Sequence, residues 1–324
     1  MKPRIGFLGT GWIGRHRMAA MVASGAIDAA AVCDPSQQCV DEALAVAPSA
    51  KVVDSLDAML ALDLEGVVIA TPSALHADQS IQALNAGKAV FCQKPLGRTV
   101  AEVDAVIAAA RAADRLLGVD LSYRHTAGME AIAGLIREGT LGEIFAVDLT
   151  FHNAYGPDKP WFYDPAQSGG GCVVDLGVHL VDLALWTLGF PAVSNADAAL
   201  YAGGQPLHPG SVEDYASASF QAGGTNIRLT CSWRLHAGQD AVIAADFYGT
   251  QGGAALRNVG GSFYDFTADH FTGTHANRLT EGADDWGGRA AAAWATQLAH
   301  SQRYDAAADH YARSAQVLDL IYGR

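Results

Sequence analysis

Two short stretches of the 324-residue chain carry residue types that move protons. The first is Gln93-Lys94-Pro95, directly after the apolar run Ala89 to Cys92. Burying an ammonium group without a partner is costly. Lys94, at the carboxyl end of a buried strand, is therefore expected where the sheet's ligand lies; the alternative is a surface lysine in a strand–helix loop. The second is Asp175-Leu176-Gly177-Val178-His179-Leu180-Val181-Asp182, entered through Gly169-Gly170-Gly171-Cys172. A helix starting near Asp175 puts Asp175, His179 and Asp182 at i, i+4 and i+7, one polar line on an otherwise apolar helix. Such a line needs partners. A reacting ligand is one answer, a metal held by imidazole and carboxylates is another, and a helix cap with an internally bonded histidine is a third.

A third stretch is built to cradle a phosphate rather than to move a proton. Ile5 to Leu8 is a short apolar run that flows into Gly9-Thr10-Gly11-Trp12-Ile13-Gly14, and helical spacing follows. Glycines at this spacing permit a tight turn, a close approach of backbone to a pyrophosphate, and helix–strand packing. The helix N-terminus adds unpaired N–H donors. Asp34 ends the next apolar run, 20 residues after Gly14, where a carboxylate can accept from both ribose hydroxyls. The same charge repels a 2′-phosphate, and Pro35-Ser36-Gln37-Gln38 offers no arginine to hold one, so NAD is expected over NADP. Arg15 and Arg17, on the helix after the glycines, are the cations that would have to reorient for NADP. Thr71, Pro72, Ser73 and His76 follow another apolar run and border the expected cofactor path, as do Gln93 and Lys94. His76 has an equally plain reading as a surface helix residue.

These positions require a scaffold, and the chain supplies one. Through about residue 121, short continuous apolar runs alternate with helical stretches, the pattern of a parallel sheet covered on both faces. After Ser122 the runs Glu143–His152, Val193–Tyr201, Asp214–Gln221, Asn226–Arg234 and Val242–Tyr248 read as strands, several of them alternating. Residues 1–121 are thus expected to form a doubly wound α/β domain. Residues 122–324 are expected to form an α+β domain with a large, mostly antiparallel open sheet. The composition is 50% hydrophobic and 17% charged, with a net charge of −13. That balance argues for a globular chain and against partners such as nucleic acid or an anionic membrane, which need a basic surface. Cys33, Cys39, Cys92, Cys172 and Cys231 are scattered, without a C-x-x-C pair, and read as reduced thiols of a cytoplasmic protein. The few apolar residues before Gly9 are too short for an export signal. No run is expected to reach the roughly 18–20 apolar residues of a membrane span.

The glycine motif, Ala70-Thr71-Pro72-Ser73 with His76, Ala86-Gly87-Lys88 through Gln93-Lys94-Pro95, and Gly169-Gly170-Gly171 through Asp175, His179 and Asp182 together resemble the Gfo/Idh/MocA oxidoreductases. The resemblance runs along nearly the whole chain. It implies a Rossmann domain followed by a domain whose open sheet forms the substrate floor and commonly a homodimer or homotetramer interface. It also implies hydride transfer between nicotinamide and a hydroxyl or ketone of a sugar or polyol, as in inositol dehydrogenases, with no metal. Lys94, Asp175 and His179 match the family's catalytic trio. His179 is the candidate base, because imidazole titrates near working pH. Lys94 would stabilise alkoxide charge, and Asp175 would orient one or both; Lys94 as the immediate base is the alternative. The family usually has Glu before the lysine. Gln93 stands there instead, which removes a negative charge that would favour the ammonium form of Lys94.

Substrate groups are expected from Tyr123 and Arg124 after the last parallel strand, from His152, Asn153 and Tyr155 at a strand end, and from Trp161 and Tyr163 in the following loop. Hydrogen-bonding groups with aromatic faces suit an unphosphorylated ring, although the two loop aromatics serve equally as anchors. Two other functions fit the same motifs: an NAD-dependent glycosidase working by transient oxidation and elimination, and a dinucleotide-binding regulator without catalysis. The second has no need of Lys94, Asp175 and His179.

Overall fold

The computed structural model describes residues 2–280 and 282–324. The chain divides into two compact units. One runs from the N-terminus to Leu121 and takes in Gly287–Ala312; the other comprises Ser122–Trp286 and Arg313–Arg324.

The strands of the first unit are β1 (Arg4–Leu8), β2 (Asp28–Cys33), β3 (Lys51–Val52), β4 (Gly66–Ile69), β5 (Ala89–Cys92) and β6 (Leu117–Val119). Among the described residues they form one parallel sheet in the order β3-β2-β1-β4-β5-β6. Their side chains are buried almost without alternation, as helices on both faces demand. The strand order reverses between β1 and β4, the point in such sheets where a ligand finds a crevice at the strands' carboxyl ends.

Residues 287–312, expected within a second domain of 122–324, belong to the first unit. Helix Arg289–His300 of that segment belongs to the core of the first unit, with Ala291, Trp294, Ala295 and Leu298 buried. Trp294 lies against Phe91 with ring centroids 5.6 Å apart. The strands make room for it with glycine: a Cβ on Gly118 would come within 2.5 Å of the indole, and one on Gly66 within 3.1 Å.

In the second unit the strands are β7 (Ile144–Asn153), β8 (Val193–Ala202), β9 (Gln205–Pro206), β10 (Tyr215–Ala222) and β11 (Thr225–Ser232), followed by β12 (Ala241–Gly249), β13 (Gly253–Asn258), β14 (Phe266–Thr272) and β15 (His275–Arg278). They form a second sheet, β15-β14-β13-β12-β7-β11-β10-β8-β9, antiparallel except where β7 meets β11. Burial alternates along β10, β11 and β12, so one face packs inward and the other stays open. The buried face is covered by helix Ala127–Arg137 and the apolar segment Pro165–Thr187. That segment is long and apolar enough to cross a membrane on length and composition alone, contrary to the sequence expectation, yet 89% of its apolar window is buried inside the protein. Its hydropathy is that of a core helix.

Candidate active site

In the first unit the glycine loop is shaped by two steric requirements and one vacancy. Gly9 has φ +83°, and a Cβ there would stand 2.4 Å from the Ala70 carbonyl oxygen. A Cβ on Gly14 would meet the Gly9 carbonyl oxygen at 2.1 Å, so helix Trp12–Ala23 packs on β1 only with glycine at that place. Gly11 is different: its φ is −56° and nothing lies within 4 Å of the position a Cβ would take. Open space beside Gly11, at a helix start with no side-chain cap, is what a pyrophosphate on backbone N–H donors requires. The residues present therefore fit a dinucleotide. Thr10 and Ile13 complete the turn, and Trp12 is exposed, stacked on His16.

Asp34, just past β2, accepts from the Thr10 N–H at 2.7 Å through one oxygen and from the Ser36 N–H at 2.9 Å through the other. Each oxygen retains a lone pair for a further donor. Thr71 donates to Gln79, and Pro72 and Ser73 open helix Ser73–Asn85. His76 is buried, unlike the surface alternative. Its Nδ1 lies 2.7 Å from the Pro95 carbonyl oxygen and its Nε2 2.7 Å from that of Thr71. It ties the loop after β4 to the loop carrying Lys94. Burial pushes the imidazole below its ordinary value against the pull of the two carbonyls, and the Lys94 charge lowers it further.

Lys94 stands half-buried two residues past β5. Its N–H donates to Gln93 Oε1 at 2.9 Å, and Gln93 Nε2 donates to Asp120 Oδ2 at 2.9 Å. The same Asp120 oxygen accepts from Arg17 Nε at 2.6 Å, in a pair that is almost wholly buried. The charge that Gln93 was expected to remove thus stands directly behind it, on Asp120.

In the second unit the helix carrying Asp175 and His179 starts earlier than expected, at Cys172, and opens with a π-helical turn over Val173–Gly177 before Val178–Thr187 continues as α-helix. Wide turns of this kind gather at functional sites. The expected polar line divides. Asp175 and His179 keep some exposure, whereas Asp182 is buried, gripped by both prongs of Arg124 and by Ser314 Oγ at 3.2 Å. Arg124, expected among the substrate groups, is committed to this pair and to the face of Phe190. Asp175 accepts from the Trp233 indole N–H at 3.1 Å, and the His179 ring lies 4.8 Å from that of Tyr123. Among the described residues no three His, Cys, Asp or Glu side chains cluster as metal ligands.

The start of this helix rests on Glu213, a residue without any signal in the sequence. Its carboxylate is buried and accepts from the N–H groups of Gly171 at 3.0 Å and Val173 at 2.9 Å, and from Tyr322 Oη at 2.7 Å; its carbonyl oxygen takes the Cys172 N–H. A Cβ on Gly171 would come within 1.9 Å of that carbonyl oxygen, and one on Gly170 within 2.1 Å of Tyr322 Oη. The glycine run is therefore a seat for a buried carboxylate. Burial raises the Glu213 carboxyl above its ordinary 4.5, opposed by these donors.

His152 and Asn153 end β7, with His152 Nδ1 2.8 Å from Ser232 Oγ on β11 and burial lowering its pKa. Tyr155 is exposed beside Phe263. Trp161 stacks on Phe162 at 3.8 Å, and Tyr163 packs edge-on against Trp233 while bonding the Pro157 carbonyl oxygen. Their contacts make the loop an anchor for Trp233, and through it for Asp175.

Family models match both units: an oxidoreductase family with an NAD-binding Rossmann fold over residues 3–121, and the Gfo/Idh/MocA C-terminal domain over 129–255. This chain belongs to the Gfo/Idh/MocA oxidoreductases. It is 30% identical over 263 residues to inositol 2-dehydrogenase of Rhizobium meliloti, covering 80% of this chain and 76% of that protein. To D-glucoside 3-dehydrogenase of Escherichia coli K12 it is 28% identical over 248 residues, 71% and 70% of the two chains. A solved structure of levoglucosan dehydrogenase in complex with NADH and levoglucosan superimposes with a TM-score of 0.84 over 100% of this chain and 97% of its own, at 20% identity. The Gfo/Idh/MocA family reading makes this an NAD(P)-binding oxidoreductase whose relatives act on sugars and cyclitols.

Proposed function

We propose that the chain is an NAD-dependent dehydrogenase that oxidises a secondary hydroxyl of an unphosphorylated sugar or cyclitol, or reduces the corresponding ketone. One observation carries the reading: from Val173 to Leu185, every side chain is buried except Asp175 and His179. Two proton-handling groups that keep exposure on a core helix, while holding on to Trp233 and Tyr123, are placed to meet a ligand.

A nicotinamide dinucleotide along Gly9–Gly14 supplies the hydride acceptor or donor. His179 takes the hydroxyl proton in oxidation and returns it in reduction. Lys94 donates to the same oxygen and stabilises its alkoxide charge. Asp175, fixed by the Trp233 indole, is the group proposed to orient one or both of them. Asp34 favours NAD, and the two arginines that NADP would recruit are engaged, Arg15 with Glu42 and Arg17 with Asp120. Cations that would bind a phosphorylated substrate are likewise paired, Arg124 with Asp182 and Lys159 with Asp158. His152, Asn153 and Tyr155 at the end of β7 are the proposed ring-binding groups. The open sheet face, with Phe145 and Tyr248 exposed, is the proposed contact between subunits. Five free cysteines agree with a cytoplasmic setting.

The test is purified protein with NAD or NADP and a panel of inositols, aldoses and glycosides, followed by nicotinamide absorbance and product release. Reduced nicotinamide is expected with a polyol and NAD. Glycoside cleavage without net reduction would replace this reading, as would full turnover by Lys94→Ala.

A further inference from the structure

We propose that Asp120 is a positioning residue for Lys94, acting through Gln93; this rests on the dehydrogenase reading given above. The amide of Gln93 can sit only one way. Its oxygen faces an obligatory donor, the Lys94 N–H, and its nitrogen faces an obligatory acceptor, the carboxylate that Arg17 pairs. The network joins three places in the first unit: the helix that follows the glycine loop (Arg17), the end of β5 (Gln93 and Lys94) and the residue after β6 (Asp120), whose own N–H donates to the Cys92 carbonyl oxygen at 2.9 Å. Holding the backbone of Lys94 to the strand ends fixes where its side chain starts.

The residue types at 93 and 120 also require each other. A carboxylate at 93 would face Asp120 Oδ2 across 2.9 Å, setting two like charges side by side where Asp120 is itself buried. Gln93 is therefore the donor complement of Asp120, whose carboxylate stands one strand over. Exchanging the two types, Gln93→Glu with Asp120→Asn, keeps the net charge and again pairs a donor with an acceptor between 93 and 120, while the oxygen that Arg17 Nε shares is given up.

The experiment compares wild type, Gln93→Glu, Asp120→Asn and the double variant by kcat for dinucleotide reduction, dinucleotide affinity, and the rate at which acetic anhydride acylates Lys94, read by peptide mass spectrometry. Gln93→Glu is expected to lower kcat on the order of ten- to a hundredfold, the range for a misplaced catalytic group, and to change the acylation rate. The double variant is expected to exceed the worse single variant in kcat and to return the acylation rate toward that of wild type, short of full recovery because Arg17 loses its partner oxygen. A double variant no better than the worse single variant, or a Gln93→Glu protein with wild-type kcat and labelling, overturns the proposal. Acylation needs no turnover. If no polyol is oxidised, the dehydrogenase reading fails while labelling still decides whether residues 93 and 120 set the lysine.

Discussion

Replacing Glu213 with alanine removes the acceptor on which the helix of Asp175 and His179 begins. Three donors lose their partner: the N–H groups of Gly171 and Val173 and the hydroxyl of Tyr322. A buried donor left unsatisfied costs about 1–3 kcal/mol, so the smallest total is about 3 kcal/mol. In a domain of about 150–250 residues each kcal/mol moves Tm by about 2–4 °C, which sets a fall of at least about 6 °C for Glu213→Ala. Tyr322→Phe removes one donor of the three and is expected to cost about 1–3 kcal/mol. The pH dependence has a definite sign. Burial raises the folded carboxyl above 4.5, so the stability it contributes is full below that value and declines as pH rises through the folded pKa. The margin of wild type over Glu213→Gln should therefore shrink as pH climbs out of the acid range. Scanning calorimetry of the four proteins between acid and neutral pH reads all of this. A Glu213→Ala protein melting within about 2 °C of wild type would refute the reasoning from unsatisfied donors.

The glycine loop gives a contrast between two positions. Gly9→Ala forces a Cβ to 2.4 Å from a carbonyl oxygen at positive φ and should lower Tm, whereas Gly11→Val, in open space, should leave Tm unchanged and weaken NAD binding about tenfold or more by calorimetric titration, a loss of ~1.4 kcal/mol. Asp34→Ser should lower affinity for NAD and raise it for NADP, because a ribose acceptor and a phosphate-repelling charge go together; an unchanged ratio would count against Asp34 as the discriminating group. Trp233→Phe deletes the indole N–H bonded to Asp175, a charge-assisted bond worth about 1.5–3 kcal/mol, and steady-state kinetics should show the loss in kcat with KM little changed.

Much of this architecture is legible in the sequence because parallel strands buried on both faces leave continuous apolar runs, as in Gly66–Ile69 and Ala89–Cys92. Strands β13 to β15 leave no such mark. Gly253–Asn258 is glycine- and alanine-rich, Phe266–Thr272 has Asp269 and His270 in its middle, and His275–Arg278 is exposed throughout. The helical period of 290–299 is readable, but period identifies an element's type and not its partner, so Trp294 could not be placed against Phe91 beforehand. The polar line of Asp175, His179 and Asp182 shows a related limit. A projection down a helix axis reads angle and not depth; Asp182 lies about a turn further in, where Arg124 and Ser314 answer its charge. Glu213 and Asp120 are single carboxylates beside apolar strands, and their partners lie 40 or more and 27 or more residues away in the chain. Spacing rules reach only local neighbours, so such pairs come to light only with the fold.

The central claim is that hydride passes directly between a sugar or cyclitol carbon and the dinucleotide, with the chain's own groups handling the proton. The direct measurement uses a polyol that the protein turns over, prepared with deuterium on its carbinol carbons, and mass spectrometry of the NADH formed. The account expects one deuterium in each reduced nicotinamide, and no reduced nicotinamide from Lys94→Ala. Reduced dinucleotide that carries no deuterium would contradict it.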